Sequence, residues 1–410
     1  MTGIENKAKV GLALASLVCA AAVRAASLDV AAGETKTLDD AAIAGYDAIS
    51  VASGGVLVLD TTAAPSVPIT GEGVVRKENG ATWTMAAANA DFAGTWELVG
   101  GVVQSNPQIS NPFGKADGTG GYRVVVTNGA TLSVGDNAAA YGNMKFLIGG
   151  TGVDGRGALE FAADVFHTGG GMIRYLTLAD DATLTMKGLL ILGYGSIDLN
   201  GRQLTLTGGG SLQLMDTRIS ACGEWRVVGE SGKQTTLLFR SWNSTNTSGL
   251  VTDADEMAFI LDGYATLGFY NCYQPFRRPL HVRGVGNVLS HQEQFAIATD
   301  TTHEHQAWPG PITFLDGGDV LSSLTVSVPS EACGFALSGR ISGPGSLAFS
   351  GKGRVFIDDP TNDYTGGTTF GPGAYVLGAR TAIPGFLPEG APLDFVWTKG
   401  HLVLSGGDSY

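Results

Sequence analysis

A short phrase recurs along this chain at a nearly regular spacing, and it constrains the fold more than any other feature of the sequence. It consists of a turn of Gly, Asn or Asp, a small residue, then Leu, any residue and an apolar residue, and its clearest copy is Gly129–Val134. Nine further copies lie at 54–59, 80–85, 157–161, 181–186, 210–214, 264–269, 345–349, 373–377 and 400–404. With weaker copies at Val103, Leu237, Leu289 and Leu324, the mean interval is about 27 residues, a period typical of solenoids.

The composition favours short strands joined by tight turns. The chain has 61 glycines among 410 residues and only 15% charged residues. The core of a solenoid grows along one axis, so a chain of this length need not divide into several globular domains. We therefore predict an all-β parallel β-solenoid of about 14 rungs. The predicted interior positions are Leu57, Leu132, Leu159, Leu184, Leu212, Leu267, Leu347 and Leu402.

The first 25 residues have the pattern of a secretory signal peptide. Lys7 and Lys9 precede an apolar run at 10–23, and Val23-Arg24-Ala25 fits a small-x-small cleavage site. The alternative is a membrane anchor, but the run is short and rich in alanine. We predict that residues 1–25 direct export and that the mature protein is secreted or lies on the cell surface.

The remaining chain divides into two predicted parts. Residues 26–70 are expected to form an N-terminal cap and the first rung, and residues 71–410 the solenoid. Within the solenoid, the segment 222–310 is less regular and rich in aromatic residues and histidines.

The charge of the chain limits its partners. It has 25 basic and 38 acidic residues, a net charge of −13, and removal of residues 1–25 leaves 22 minus 37, or −15. A surface of this charge disfavours nucleic acids and anionic membranes. The three cysteines beyond residue 25, Cys222, Cys272 and Cys333, are far apart and lack zinc-site spacing. We expect buried thiols, with one disulfide as the alternative.

Two longer phrases identify a family resemblance. Residues 343–377 contain Gly-x-Gly-x-Leu, then Asn362-Asp363-Tyr364-Thr365-Gly366-Gly367-Thr368-Thr369, then Gly-Ala-Tyr-Val-Leu, and residues 71–103 contain a degenerate copy. This arrangement resembles the autotransporter-associated β-strand repeat of bacterial surface and secreted passenger proteins. The resemblance covers under a fifth of the chain and implies a right-handed parallel β-helix that is exported.

The aromatic-rich segment contains the candidate ligand-binding residues. If it forms a groove, aromatic rings there could bind sugars, and the candidates are Trp225, Trp242, Tyr270, Tyr273 and Trp308. Other residue patterns suggest chemistry more weakly. His303-Glu304-His305 has the alternation of some metal sites but reads equally as a polar loop, Asp253 and Asp255 could act as paired carboxylates, and Arg277-Arg278 could bind an acidic sugar.

Two classes of function are consistent with these patterns. The favoured one is a non-catalytic structural or adhesive solenoid whose partners are extracellular glycans or other surface proteins. The alternative is a carbohydrate-active β-helix enzyme, a polysaccharide lyase or glycoside hydrolase, with 222–310 as its groove. We assign no catalytic, cofactor or metal-ligating residue from the sequence, and we expect neither a cofactor nor a transmembrane segment beyond residue 25.

Overall fold

The structure is a computed structural model that describes residues 26–403 except 107, 128, 136–140, 142, 163–172, 221, 241–256, 271–275, 293–306, 332, 378–386, 388–389, 391–392 and 396–400. The predicted signal peptide therefore lies outside the described residues. Apart from one short helix at Asp40–Ile43 and a 3-10 turn at Val153–Gly155, regular structure in these ranges is β-strand. None of the described helices has the length and apolarity needed to cross a membrane.

The strands are short and follow one another closely. The first group is β1 (Ala26–Val30), β2 (Thr35–Asp39), β3 (Tyr46–Val51), β4 (Val56–Asp60), β5 (Ile69–Gly71), β6 (Val74–Lys77), β7 (Thr82–Thr84), β8 (Thr95–Leu98), β9 (Gly101–Gln104), β10 (Val124–Val126), β11 (Ala130–Val134), β12 (Lys145–Gly150) and β13 (Leu159–Phe161). The second group is β14 (Tyr175–Met186), β15 (Leu189–Gly193), β16 (Ser196–Asp198), β17 (Gln203–Thr207), β18 (Ser211–Met215), β19 (Arg218–Ser220), β20 (Glu224–Val228), β21 (Thr235–Arg240), β22 (Ala258–Asp262), β23 (Ala265–Tyr270), β24 (Leu280–Arg283) and β25 (Asn287–Gln292). The third group is β26 (Ala307–Trp308), β27 (Ile312–Phe314), β28 (Ser322–Val328), β29 (Gly334–Leu337), β30 (Ile341–Ser342), β31 (Gly345–Gly351), β32 (Arg354–Ile357), β33 (Thr368–Phe370), β34 (Tyr375–Leu377), β35 (Leu393–Phe395) and β36 (His401–Val403).

These strands pair in parallel to form five ladders. The first ladder is β1-β3-β5. The second ladder is β2-β4-β6-β8-β10-β12-β14-β16-β19. The third ladder is β7-β9-β11-β13-β14-β17-β20-β22-β24-β27-β30. The fourth ladder is β15-β18-β21-β23-β25-β28-β31-β33-β35. The fifth ladder is β26-β29-β32-β34-β36.

Successive strands belong to different ladders, which is the connectivity of a solenoid. Strands β15, β16 and β17 lie in the fourth, second and third ladders, and β18 returns to the fourth beside β15. The long strand β14 continues from the second ladder into the third, so the two form one 19-stranded sheet. The predicted all-β parallel solenoid is thus confirmed. Its right-handed coiling and the number of rungs stay predictions.

The rungs differ in length because segments are added to a shorter unit. Leu190 pairs with Leu212, 22 residues further on, whereas Leu289 pairs with Val326, 37 residues further on. The predicted mean of about 27 residues lies between these values. Because ladder pairing resumes after each added segment, the interior register is preserved.

Alternation of side chains builds the interior. Strand β28 alternates strictly between buried and half-buried residues, as a strand with one face on a core must. Seven of the eight predicted leucines are no more than 1% exposed, which confirms their interior placement. Only the backbone of Leu402 is described, and it pairs with Val376. One continuous hydrophobic cluster extends from Val30 to Ala374.

The two long sequence phrases build the same contact between neighbouring rungs. Asn89 is 3% exposed; its Oδ1 accepts a hydrogen bond from Ile69 N at 2.8 Å, and its Nδ2 donates to Pro112 O at 2.5 Å. In the second phrase, Asn362 Oδ1 accepts from Ile341 N at 2.7 Å. The asparagine side chain therefore bonds a backbone group of a neighbouring rung in both phrases.

Glycines in these phrases permit close approach of the chain. Gly71 and Gly343 have φ of 101° and 98°, and a Cβ added to either would lie 2.2 Å from the carbonyl oxygen of Val51 or Phe314, respectively. No other residue type fits either position without displacing the preceding rung. The two phrases, 272 residues apart from Gly71 to Gly343, are thus structural equivalents.

The interior register predicts the effect of one substitution. Leu184→Ala removes a side chain that is 1% exposed, so we expect the free energy of unfolding to fall by about 2–5 kcal/mol through lost burial and a residual cavity. Urea unfolding followed by circular dichroism measures this change. The control is Thr205→Ala. Thr205 is half-buried on β17 and pairs with Thr183, which precedes Leu184 on β14. Equal losses in the two variants would contradict the interior placement of Leu184.

Candidate functional site

Most of the described aromatic residues of the segment 222–310 lie inside the solenoid. Trp225 and Trp308 are 0% exposed, so neither offers a ring face to a ligand in solvent. The centroid of the Trp308 ring is 5.8 Å from that of Phe269 and 6.0 Å from that of Phe276, which in turn is 4.0 Å from that of Phe269. Phe239 and Phe259 extend the same cluster. These rings fill the interior of the rungs and do not line a groove.

The other predicted ligand-binding aromatics are placed differently. Tyr270 is the last residue of β23 and is half-buried. The Arg240 guanidinium lies over its ring, with Cζ 5.2 Å from the ring centroid. Trp242 and Tyr273 lie outside the described residues. Ligand binding by Tyr270, Trp242 and Tyr273 stays a prediction.

The candidate chemical groups do not converge in the described structure. Asp253, Asp255 and His303-Glu304-His305 lie outside the described residues, so the enzyme alternative stays untested. Among the residues described, no three His, Cys, Asp or Glu side chains are grouped as a metal site requires.

The two adjacent arginines differ from each other in solvent exposure, and so do the two described cysteines. Arg277 is exposed, whereas Arg278 is buried. Cys333 is buried, as expected for a cysteine acting as a small apolar residue. Cys222 is exposed, contrary to that expectation, because it lies in the loop between β19 and β20. Cys272 lies outside the described residues.

The outward surface of the third ladder carries ion pairs on strands β20, β22 and β24. Asp262 Oδ2 forms an ion pair with Arg226 and lies 3.8 Å from Arg283 Nη1. In the preceding rungs, Gln203 Nε2 donates to Glu224 Oε2 at 2.7 Å. Stacking in register places these groups within reach of one another on adjacent strands.

The outward surface of the fourth ladder is different, because it carries hydroxyl groups and few charges. Arg240 is the one charged side chain among those described in outward positions of this ladder. The half-buried serines and threonines on it are Ser211, Thr236, Thr266, Ser323, Thr325, Ser327, Ser346, Ser350 and Thr369. This surface was not predicted from the sequence, although Ser or Thr precedes the interior leucine in β18, β21, β23, β28 and β31. The described side chains of this surface can offer hydrogen bonds and apolar contact.

A buried carboxylate holds one loop against the third ladder. Glu160 is 1% exposed; it forms ion pairs with Arg156 and with Lys187, whose Nζ is 2.6 Å from Oε1. Burial acts to raise the pKa of Glu160, but hydrogen bonds from Arg156, Lys187 and Ser133 outweigh it and hold that pKa below its usual value. The group is thus a structural anion, fully paired with cations.

A buried lysine closes a turn in the second ladder. Lys77 Nζ donates to Asn79 O at 2.6 Å and to Gly100 O at 2.7 Å, and it lies 4.9 Å from the centroid of the Trp83 ring. Burial lowers the pKa of Lys77 to about 8. Its carbonyl partners and the ring face leave no position for a substrate, so Lys77 is also structural.

Comparison with known proteins adds one relative. No protein-family model and no solved structure matches the chain. Among curated proteins, the chain is similar to the protein named Adhesin BmaC autotransporter of Brucella suis biovar 1 (strain 1330), with 26% identity over 363 residues. The match covers 79% of this chain and 10% of that relative, so the chain spans about a tenth of the relative's length. This similarity confirms the resemblance to autotransporter passengers predicted from the repeat phrases.

The buried carboxylate predicts a dependence of stability on pH. The pKa of Glu160 is lower in the folded chain than its ordinary value of 4.5, so its stabilising effect is present above that pH and is lost as pH falls through the folded value. We expect Glu160→Gln to lower the free energy of unfolding at pH 7 by about 1–3 kcal/mol and to weaken the further loss in acid.

Urea unfolding at several pH values between about 3 and 7 tests this expectation. Glu331→Gln is the matched control, because Glu331 is exposed and its oxygen lies 3.6 Å from Lys352 Nζ in an exposed pair. If stability falls as steeply with decreasing pH in the Glu160 variant as in the control variant, the ionised Glu160 carboxylate does not stabilise the fold as we expect.

Proposed function

We propose that this chain is a segment of an exported adhesive passenger that acts as a non-catalytic solenoid on the bacterial surface. The observation that carries the proposal is its similarity, over 79% of its length, to a segment of a protein named as an adhesin autotransporter. The signal-peptide pattern at residues 1–25 and the net charge of −13 support a place outside the cell.

The architecture suits adhesion because it presents long, regular lateral surfaces. Each rung contacts chiefly its neighbours, and parallel pairing fixes outward side chains at intervals of about 4.8 Å along the axis. The hydroxyl-rich fourth ladder and the charged third ladder give the lateral surfaces distinct chemistry. Extracellular glycans or other surface proteins are the partners we propose for these surfaces.

Adhesion is tested by measuring binding of the purified chain to cultured host cells and to immobilised extracellular glycans. We expect saturable binding by the folded protein. The matched control is the Leu184→Ala variant at a temperature between its unfolding midpoint and that of the wild type, since it has the same charge but no fixed surface. Equal binding by the unfolded variant, or no binding by the wild type, would contradict the proposal.

Export is tested separately by expression of the full chain in a bacterial host. We expect the exported product to begin near Ala26 by intact mass spectrometry, because cleavage should follow Ala25. Ala25→Phe should prevent this processing, since a large side chain does not fit the small-x-small pattern. Recovery of an unprocessed chain that begins at Met1 inside the cell would contradict the proposed signal peptide.

A further inference from the structure

One corner of the solenoid carries three basic residues on neighbouring rungs. Lys145, Arg174 and Arg218 form no ion pair with another described residue. Lys145 Nζ donates to Gly120 O at 2.9 Å, and Arg174 Nη1 donates to Asn143 Oδ1 at 2.9 Å. Within the described part of the chain, these two cations therefore contact neutral oxygens rather than carboxylates.

The ladder register brings these cations together from distant parts of the chain. Lys145 pairs with Tyr175, next to Arg174, in the following rung. In the rung after that, Ser196 N donates to Arg174 O at 2.7 Å, and in the next Arg218 N donates to Gly195 O at 2.9 Å. The backbones of the three basic residues thus lie within four consecutive rungs. Neighbouring rungs are about 4.8 Å apart.

Tyr194 lies in the middle of this group and has an unusual backbone conformation. It precedes Gly195, has a φ of 57°, and is 51% exposed. The same corner position in the following rung is occupied by Asp216, with a φ of 47°. Aspartate adopts this left-handed region readily, whereas a bulky residue does so at a cost in free energy. An exposed aromatic ring held there does not serve packing, so the cost points to a surface function.

Two acidic residues of the same rungs contact groups other than these cations. Asp198 Oδ1 accepts a hydrogen bond from the backbone of Asn200 at 3.0 Å, and Asp180 Oδ1 lies 3.5 Å from Arg202 Nη1. With Lys145, Arg174 and Arg218 against Asp216, basic residues outnumber acidic ones at this corner, on a chain of net charge −13.

We infer that this patch, the Tyr194 corner of Lys145, Arg174, Tyr194 and Arg218, binds an acidic polysaccharide. Guanidinium and ammonium groups donate charged hydrogen bonds to carboxylate or sulfate groups, and an exposed tyrosine offers an apolar ring face with a polar hydroxyl to a sugar. The overall negative charge disfavours a partner as densely charged as nucleic acid. The inference rests on the proposed function and names the partner class for one surface.

The test measures binding of polygalacturonate oligomers to the full chain by titration calorimetry, with neutral dextran as the uncharged control glycan. We expect binding to the wild type that weakens as salt is raised, and at least a roughly tenfold loss in the double variant Arg174→Gln/Arg218→Gln, of the order expected when charged hydrogen bonds are removed. Arg354→Gln is the matched control, because Arg354 is exposed on β32, in the fifth ladder. An equal loss in the control, or no binding to the wild type, would overturn the inference.

Tyr194→Asn separates binding from folding. We expect this variant to bind more weakly while its thermal midpoint stays equal to or rises above that of the wild type, since asparagine suits the left-handed conformation. Unchanged binding would remove Tyr194 from the site and overturn the assignment of the corner. Equally tight binding of single-stranded DNA, lost in the same variants, would overturn the choice of a glycan.

Adhesion of the same variants distinguishes this inference from the proposed function. If the Arg174→Gln/Arg218→Gln variant lacks glycan binding and loses adhesion to cells, both stand. If the variant and the wild type bind polygalacturonate equally and adhere equally, the inference fails while the proposed adhesion stands. A wild-type chain that binds the glycan but does not adhere would leave the corner assigned and remove the proposed function.

Discussion

Parallel hydrogen bonding between the backbones of successive rungs is the constraint on which the rest of this structure depends. Each strand within a ladder pairs with the strand before it and the strand after it, so side chains of equal direction stack along the axis. An interior column such as Leu159, Leu184 and Leu206 is then continuous through rungs of different length. A shift of one residue in the pairing of any strand would move its apolar side chains from the interior to the solvent. Burial of these side chains therefore fixes the register.

Buried polar groups add to this register in places where the strands end. Asn89 bonds the backbone of the rungs on both sides of it, and Lys77 joins the ends of two rungs through carbonyl oxygens. Glu160 fixes a loop on the outside of the third ladder by its two cations. Each group is nearly inaccessible to water and would be costly if its partners were displaced. Such groups favour one alignment of rungs over neighbouring ones.

The sequence carries enough information to predict the fold class and the interior leucines, because both follow from a local alternation of period two. The same alternation contained a signal for Trp225: in Glu224-Trp225-Arg226-Val227 the tryptophan shares its direction with a valine and lies between two charged residues. The many aromatic residues of the segment 222–310 favoured a groove as the interpretation instead of this alternation. The Tyr194 corner could not be predicted. Its members come from rungs whose offsets differ, and only the three-dimensional pairing brings them to one place.

The connections that follow three successive strands of the fourth ladder begin at one corner of the solenoid. Strands β21, β23 and β25 end at Arg240, Tyr270 and Gln292, which are register partners in the fourth ladder. A segment can therefore lengthen, shorten or change sequence at any of these three points without altering a single backbone bond of the ladders. Substitutions in segments that are far apart in the sequence would therefore change neighbouring positions on the surface. The ladder strands, which set the register, are thus separate from the segments whose sequence and length can vary.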